Sequence, residues 1–223
     1  MDFNLLSRSP LFIGMSIPVI QQILDSIYWR TKIYSPGSLI SASGDPVSGF
    51  MMVIEGKVKG EMTDYSGRVI KIEDIPAPGA LAPAFLFGNR NRYPVNVISI
   101  EETKMLVIAK DDFIKLLMAN GTILSNFLNM ISNRSQFLSE KIKFLNFKTL
   151  RSKLAQYILQ HTGEENNKFV LPMTQSDLAD FFGVARPSLA RALSGIEADG
   201  VILAQNRTIT VLDRGTLMKL TND

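Results

Sequence analysis

The sequence predicts an α+β chain in three parts: a small N-terminal β-roll over 1–110, a long helix over 111–145 and a winged helix-turn-helix over 146–223. Three observations carry that prediction. Turn signals recur between Thr31 and Lys110 about every 8–12 residues, the spacing of short strands in a sandwich or barrel. Apolar residues then step by alternating four and three positions from Leu124 to Leu145. Last, two helical segments flank a glycine turn and run into a hairpin pattern.

Each element follows from its residues. Near 16–30 the pattern is a short helix: Ser16 can cap it, Pro18 suits a first turn, and Ile20, Ile23, Leu24 and Ile27 share one apolar face. The strand region has turns at Ser35-Pro36-Gly37, Ser43-Gly44-Asp45-Pro46, Glu55-Gly56, Asp64-Tyr65-Ser66-Gly67 and Pro78-Gly79. Strand-like runs such as Phe50-Met51-Met52-Val53-Ile54 and Met105-Leu106-Val107-Ile108 lie between them.

From about Asp111 to Gln160 the texture is helical, with breaks allowed. Leu124, Leu128, Ile131, Ser135, Leu138, Ile142 and Leu145 form an a/d seam there, the signature of a coiled coil. A helix packed on its own barrel is the alternative. The polar flanks (Asn126, Asn129, Ser132, Asn133, Arg134, Gln136, Glu140, Lys141, Lys143) leave only a narrow stripe, which suits one partner helix. The chain is therefore expected to form a homodimer. Ser135 either sets the register at some cost in stability or marks a looser contact.

In the tail, Leu150, Leu154 and Ile158 give one amphipathic helix. Thr174 to Phe182 gives a second, with Thr174 as N-cap and Asp177 completing a capping-box variant. Gly183-Val184-Ala185 is a turn with glycine at the C-cap, and Arg186-Pro187-Ser188 opens a third helix through Leu189, Leu193 and Ile196. Val201 to Leu212, turning at Gln205-Asn206-Arg207, makes a hairpin. Helix, glycine turn, helix and hairpin form a winged helix-turn-helix, whose second helix fits a DNA major groove. Its N-terminal end presents Arg186, Ser188 and, about one turn further, Arg191, with no acid between Phe181 and Ile196. Arg186 suits a bidentate contact to guanine, Arg191 a base or phosphate, and Ser188 a phosphate or base edge. Thr174 and Gln175 are candidate backbone clamps and Arg207 a phosphate contact at the wing tip. Ordinary helices with solvated arginines are the bland alternative.

Composition narrows the function. The 223 residues are 46% hydrophobic and 20% charged, as in folded soluble chains, and the net charge of +3 permits an acidic partner. No apolar run approaches the ~18 residues of a membrane span. Met1-Asp2-Phe3-Asn4 carries an acid where an export signal has basic residues, so a cytoplasmic location is expected. Without cysteine there is no disulfide, thiol nucleophile, cysteine-held zinc or iron–sulfur cluster. The single histidine, His161, lies in a polar stretch and reads as a solvated loop residue. One histidine cannot build a histidine-rich metal site or two-histidine haem ligation, so neither metal nor haem is expected and no catalytic residue is assigned.

The whole chain resembles the Crp/Fnr (cyclic AMP receptor protein / fumarate–nitrate regulator) family of bacterial transcription regulators. The resemblance rests on Ser9-Pro10-Leu11-Phe12-Ile13-Gly14-Met15-Ser16, on the β-roll turns, on Glu55-Gly56-Lys57-Val58-Lys59-Gly60, and above all on Leu178 to Leu193. It implies a cyclic-nucleotide-binding-like β-roll as sensor or scaffold, a dimerisation helix and a DNA-reading domain. It also implies double-stranded DNA, a second copy, a small-molecule effector and RNA polymerase as partners, and no membrane. By the same analogy Arg186 and Arg191 fall where the family contacts bases and phosphates. Pro187 replaces the glutamate of cyclic AMP-responsive members, so a different DNA sequence should be read.

The effector pocket departs from the family pattern. Its Gly-Glu pair aligns with Pro83-Ala84 and its Arg-Ser pair with Tyr93-Pro94, Arg90 and Arg92 lying just upstream. Ala84 cannot accept from a ribose hydroxyl and Pro94 donates nothing, so cyclic AMP is not expected to bind. Leu81, Ala84, Phe85, Arg92 and Tyr93 remain the candidate lining for another effector, although the apolar run Ala80 to Phe87 more simply fills the roll. Two rivals from other classes stay open. One is a small-molecule-binding module whose tail contacts a protein instead of DNA. The other is a cupin-like barrel enzyme, which would need histidines this chain lacks.

Overall fold

The computed structural model describes residues 2–144, 147–163 and 166–222. They form two compact units, Met1–Arg134 and Ser135–Asp223, with the boundary inside one long helix. The architecture is the mixed α/β one that the sequence predicts.

In the first unit, helices α1 (Phe3–Leu6) and α2 (Ile17–Asp25) precede eight strands. These are β1 (Trp29–Tyr34), β2 (Leu39–Ser41), β3 (Gly49–Glu55), β4 (Lys57–Thr63), β5 (Val69–Pro76), β6 (Gly79–Leu81), β7 (Asn96–Ser99) and β8 (Thr103–Ala109). They pair antiparallel into two four-stranded sheets, ordered β1-β8-β3-β6 and β2-β7-β4-β5, which close the roll. Phe50, Met52, Val58, Leu81, Val97, Leu106 and Ile108 are buried in its core. Gly56 makes the β3–β4 turn possible: φ is +80° and an added Cβ would meet the Glu102 carbonyl oxygen at 2.3 Å.

Two helices continue from β8. They are α3 (Lys110–Ala119) and α4 (Gly121–Lys143), separated by an extended Asn120. The Asn120 side chain accepts from the N–H groups of Thr122 and Ile123, which caps the start of α4. Phe113 of α3 stacks on Phe50 at 4.5 Å and meets Phe127 of α4 edge-on at 5.1 Å. Adjacent Met52 and Val53, on opposite faces of β3, are both buried, which accounts for its unbroken apolar run.

The second unit begins within α4 and adds α5 (Leu150–His161), β9 (Lys168–Val170), α6 (Gln175–Phe182), α7 (Arg186–Ala198), β10 (Ile202–Gln205), β11 (Thr208–Val211) and α8 (Arg214–Lys219). Its sheet has the order β10-β11-β9. An aromatic cluster holds the helices: Phe144 lies 5.3 Å from both Phe181 and Phe182, and Phe137 lies 5.4 Å from Phe181.

Four local expectations change. Ser16 precedes α2 but makes no side-chain cap, and α2 ends at Asp25, so Ile27 lies beyond the helix. Strand β9 was not foreseen, because three residues of mixed polarity carry no period of their own; pairing with β11 creates it. Helix α8 was likewise missed, though Asp213 caps it through the Thr216 N–H. His161 closes α5 rather than sitting in a loop. It is exposed, as expected, with Nδ1 2.8 Å from the Tyr157 carbonyl oxygen and its ring stacked on Phe169 at 5.3 Å.

Candidate nucleic-acid interface

Helices α6 and α7 are built by local signals. Thr174 caps α6 reciprocally: its hydroxyl accepts from the Asp177 N–H at 3.2 Å, and its own N–H donates to the Asp177 carboxylate at 3.1 Å. The hydroxyl also donates to that carboxylate at 2.7 Å. Both donors of Thr174 are thus committed to the cap, unlike the free backbone clamp its position suggested. Gln175, one residue on, is half-buried.

The Thr174 hydroxyl, then the Thr174 N–H, hold the Asp177 carboxyl below its ordinary value, with the nearby Arg207 charge adding to the effect. A lowered folded-state value stabilises the cap above the ordinary carboxylate range, and that contribution is lost as pH falls through the folded value. Asp177→Asn is therefore expected to lower the unfolding midpoint at neutral pH. Its difference from the parent should narrow below about pH 4, as thermal scans across pH would show.

Gly183 ends α6 in the left-handed region, with φ 69°. An added Cβ would meet nothing within 4 Å, so Gly183→Ala incurs only the backbone penalty. That penalty is about 1–2 kcal/mol, and a midpoint roughly 5 °C lower in a thermal melt is the expected result.

Helix α7 opens at Ala185, which offers no side-chain cap, and Pro187 lies in its first turn. The N–H groups of Ser188 and Leu189 both reach the Ala185 carbonyl oxygen. Leu189, Leu193 and Ile196 are buried and turn one face inward. Arg186, Pro187 and Arg191 are exposed and Ser188 is half-buried. Arg191 donates to the Ser188 hydroxyl at 3.3 Å. The Arg186 guanidinium has no protein partner among the described residues. The hairpin of β10 and β11 turns at Asn206, φ 55°, and Arg207. Arg207 is exposed, yet one guanidinium nitrogen donates to the Leu171 carbonyl oxygen at 2.8 Å, so it ties the wing to the segment entering α6.

On α4, Ile123 and Phe127 are buried in the first unit. The predicted seam lies on another face. Leu124, Leu128, Leu138 and Ile142 are 39%, 53%, 45% and 61% exposed, and Ser135 is exposed between them. Ile131 differs: it is half-buried and packs against the first core. Leu145 lies outside the described residues.

The five candidate effector residues divide between the roll's core and its surface. Leu81 and Tyr93 are buried in the roll, the Tyr93 hydroxyl 3.4 Å from the Met51 sulfur. Phe85 packs against the same core, while Ala84 is exposed on a short helical turn. Arg92 is exposed and donates to the Gly44 carbonyl oxygen at 2.6 Å. The run from Ala80 to Phe87 thus largely fills the roll. Among the described residues no cluster of three or more histidine, cysteine, aspartate or glutamate side chains is placed to hold a metal. None of their helices is long and apolar enough to cross a membrane.

Roll, long helix and helix-turn-helix with a wing together define a class: transcription regulators with a helix-turn-helix DNA-binding domain. Residues 31–120 match the cyclic nucleotide-binding domain family and residues 152–220 the Crp-like helix-turn-helix domain family. The chain belongs to the Crp/Fnr family of regulators. It is 25% identical to an anaerobic regulatory protein of Bacillus subtilis (strain 168) over 209 residues, covering 89% of this chain and 86% of that one. It is 22% identical to the transcriptional activator protein anr of Pseudomonas aeruginosa, covering 93% and 87%. Its fold is similar to that of the Thermus thermophilus catabolite activator protein, with a TM-score of 0.57, 20% identity and coverage of 96% and 99%.

Proposed function

We propose that this chain is a homodimeric, sequence-specific regulator that reads a two-fold symmetric DNA site. The carrying observation is Arg186: an exposed guanidinium in the first turn of α7, with no partner among the described residues and no acid from Phe181 to Ile196. Arg186 reads a guanine edge, Arg191 and Ser188 contact base or phosphate, and Arg207 has donors to spare for the flanking phosphates. Half-buried Gln175 adds a backbone contact at the start of α6. The exposed leucines and isoleucine of α4 support pairing of two copies, which presents two reading helices about one DNA turn apart.

In this reading the roll is a scaffold or a sensor for an effector other than cyclic AMP. Ala84 brings no acceptor, Pro94 brings no donor, and Arg92 is an exposed side chain with one nitrogen on the Gly44 carbonyl oxygen, outside the buried core of the roll. A buried phosphate would lack its cation and donors. A protein without cysteine takes no thiolate-ligated iron–sulfur cluster, and one surface histidine does not hold haem. An effector, if the roll takes one, acts by favouring one of two spacings of the reading helices. The protein works in the cytoplasm, with RNA polymerase as a further partner.

Selection of binding sites from a random duplex pool, with effector-free protein at near-physiological salt, tests the proposal. The expected result is enrichment of a two-fold symmetric site. Weak, salt-sensitive binding without enrichment would point to a missing effector. No binding even at low salt would move the tail to a protein partner.

A further inference from the structure

Helix α7 carries acids where electrostatics disfavours them. Glu197 lies in its last turn and Asp199 is its C-cap, both at the negative end of the helix dipole. They also belong to a domain that meets a polyanion, where each added negative charge weakens binding. Both are engaged. Asp199 pairs with Arg151 of α5. Glu197, half-buried, accepts the backbone N–H of Ala204 at 2.9 Å.

That N–H belongs to the wing. Strand β10 is an edge of its sheet, and Ala204 lies opposite Ile209 of β11. Its N–H bonds to the carboxylate of α7 rather than to the neighbouring strand. The reading helix and the wing are therefore joined by a charge-assisted bond, which is stronger than a neutral one.

We propose that Glu197 is a positioning residue for DNA reading: by holding the free edge of β10 it sets the angle between α7 and the wing. The inference rests on the DNA reading proposed above. Glu197 lies eleven residues beyond Arg186, so the two are roughly 16 Å apart along the helix axis. A tilt of about 10° at the Glu197 end moves the Arg186 end by roughly 3 Å, far more than a base-edge hydrogen bond tolerates. The wing tip begins only two residues past Ala204, so the same bond also sets where Arg207 meets the backbone.

The two accounts of this acid predict opposite signs. As a bare charge, its removal tightens binding to any DNA. As a strut, its removal weakens binding to the selected site and spares random DNA. The test measures affinity for the selected duplex and for a random duplex with the parent, Glu197→Ala and Glu197→Gln, together with amide exchange at Ala204. Glu197→Ala is expected to lose about tenfold on the selected site only, and its Ala204 amide to exchange faster. Glu197→Gln keeps a carbonyl acceptor and should stay within about threefold of the parent.

Equal affinities for the two variants, both at or above the parent, would overturn the proposal. If Glu197→Ala does not fold, Ala204→Pro removes the donor on an edge strand and leaves the acid in place. Loss on the selected site alone then supports the strut, and parental affinity sinks it. A parent that selects no site defeats the DNA reading and this inference together, an outcome distinct from a selective parent with indifferent variants.

Discussion

Replacing Arg186 by alanine is expected to flatten base preference at one position in each half-site while leaving the fold unchanged. The side chain is exposed and has no protein partner among the described residues, so no packing or ion pair is lost with it. What disappears is the proposed bidentate contact to a base edge, about 1–3 kcal/mol at each half-site, or roughly five- to 150-fold. Competition binding with the selected duplex and its single-base variants reads this directly. The preferred base at the affected position should become one of several, with a smaller loss on random DNA. Arg186→Lys should restore the preference only in part, because an ammonium lacks the rigid planar fork of the guanidinium. Equal losses on selected and random duplexes would reduce Arg186 to a phosphate contact.

Leu128→Asp is expected to dissociate the proposed dimer. Leu128 is 53% exposed in the single chain, so the substitution removes little from the monomer's core. In a two-fold pair it acts twice, and because only the exposed half of each leucine is left to bury, losing both burials costs about 1.5–3 kcal/mol before repulsion between the new carboxylates. That raises the dimer dissociation constant roughly 10- to 150-fold, and the repulsion adds to it. Sedimentation across concentration should show the variant as monomer at concentrations where the parent, in this reading, is paired. Affinity for the two-fold site should fall with it, since two half-sites are then bound separately. A variant that remains a dimer would place the interface elsewhere.

Leu124 and Phe127 show how far a sequence pattern reaches. Both lie in the same run of α4, and the four-three spacing singles out Leu124, Leu128, Leu138 and Ile142, which the structure leaves exposed. The same spacing includes Ile131, which instead packs half-buried against the first core. A period identifies a face, but only the neighbouring roll decides which residues of the helix it covers. In the reading domain, the Thr174–Asp177 box and the Gly183 turn were legible because each depends on residues within a few positions.

What local sequence could not carry is side-chain commitment over distance. Arg92 and Arg207 look like free cations along the chain, yet Arg92 serves Gly44 and Arg207 serves Leu171, 48 and 36 residues away. Ala84 and Tyr93 read as one lining, but a helical turn exposes the first while the roll buries the second. The Glu197–Ala204 strut joins a helix to an edge strand whose outward N–H exists only once the sheet has formed. The Thr174–Asp177 box, the Gly183 turn and the reading-helix motif therefore follow from the residues alone, because turn chemistry and caps of this kind are short-range. Which charges stay free to meet DNA follows from the tertiary fold, because a guanidinium or carboxylate is claimed by whatever backbone the folded chain brings within reach.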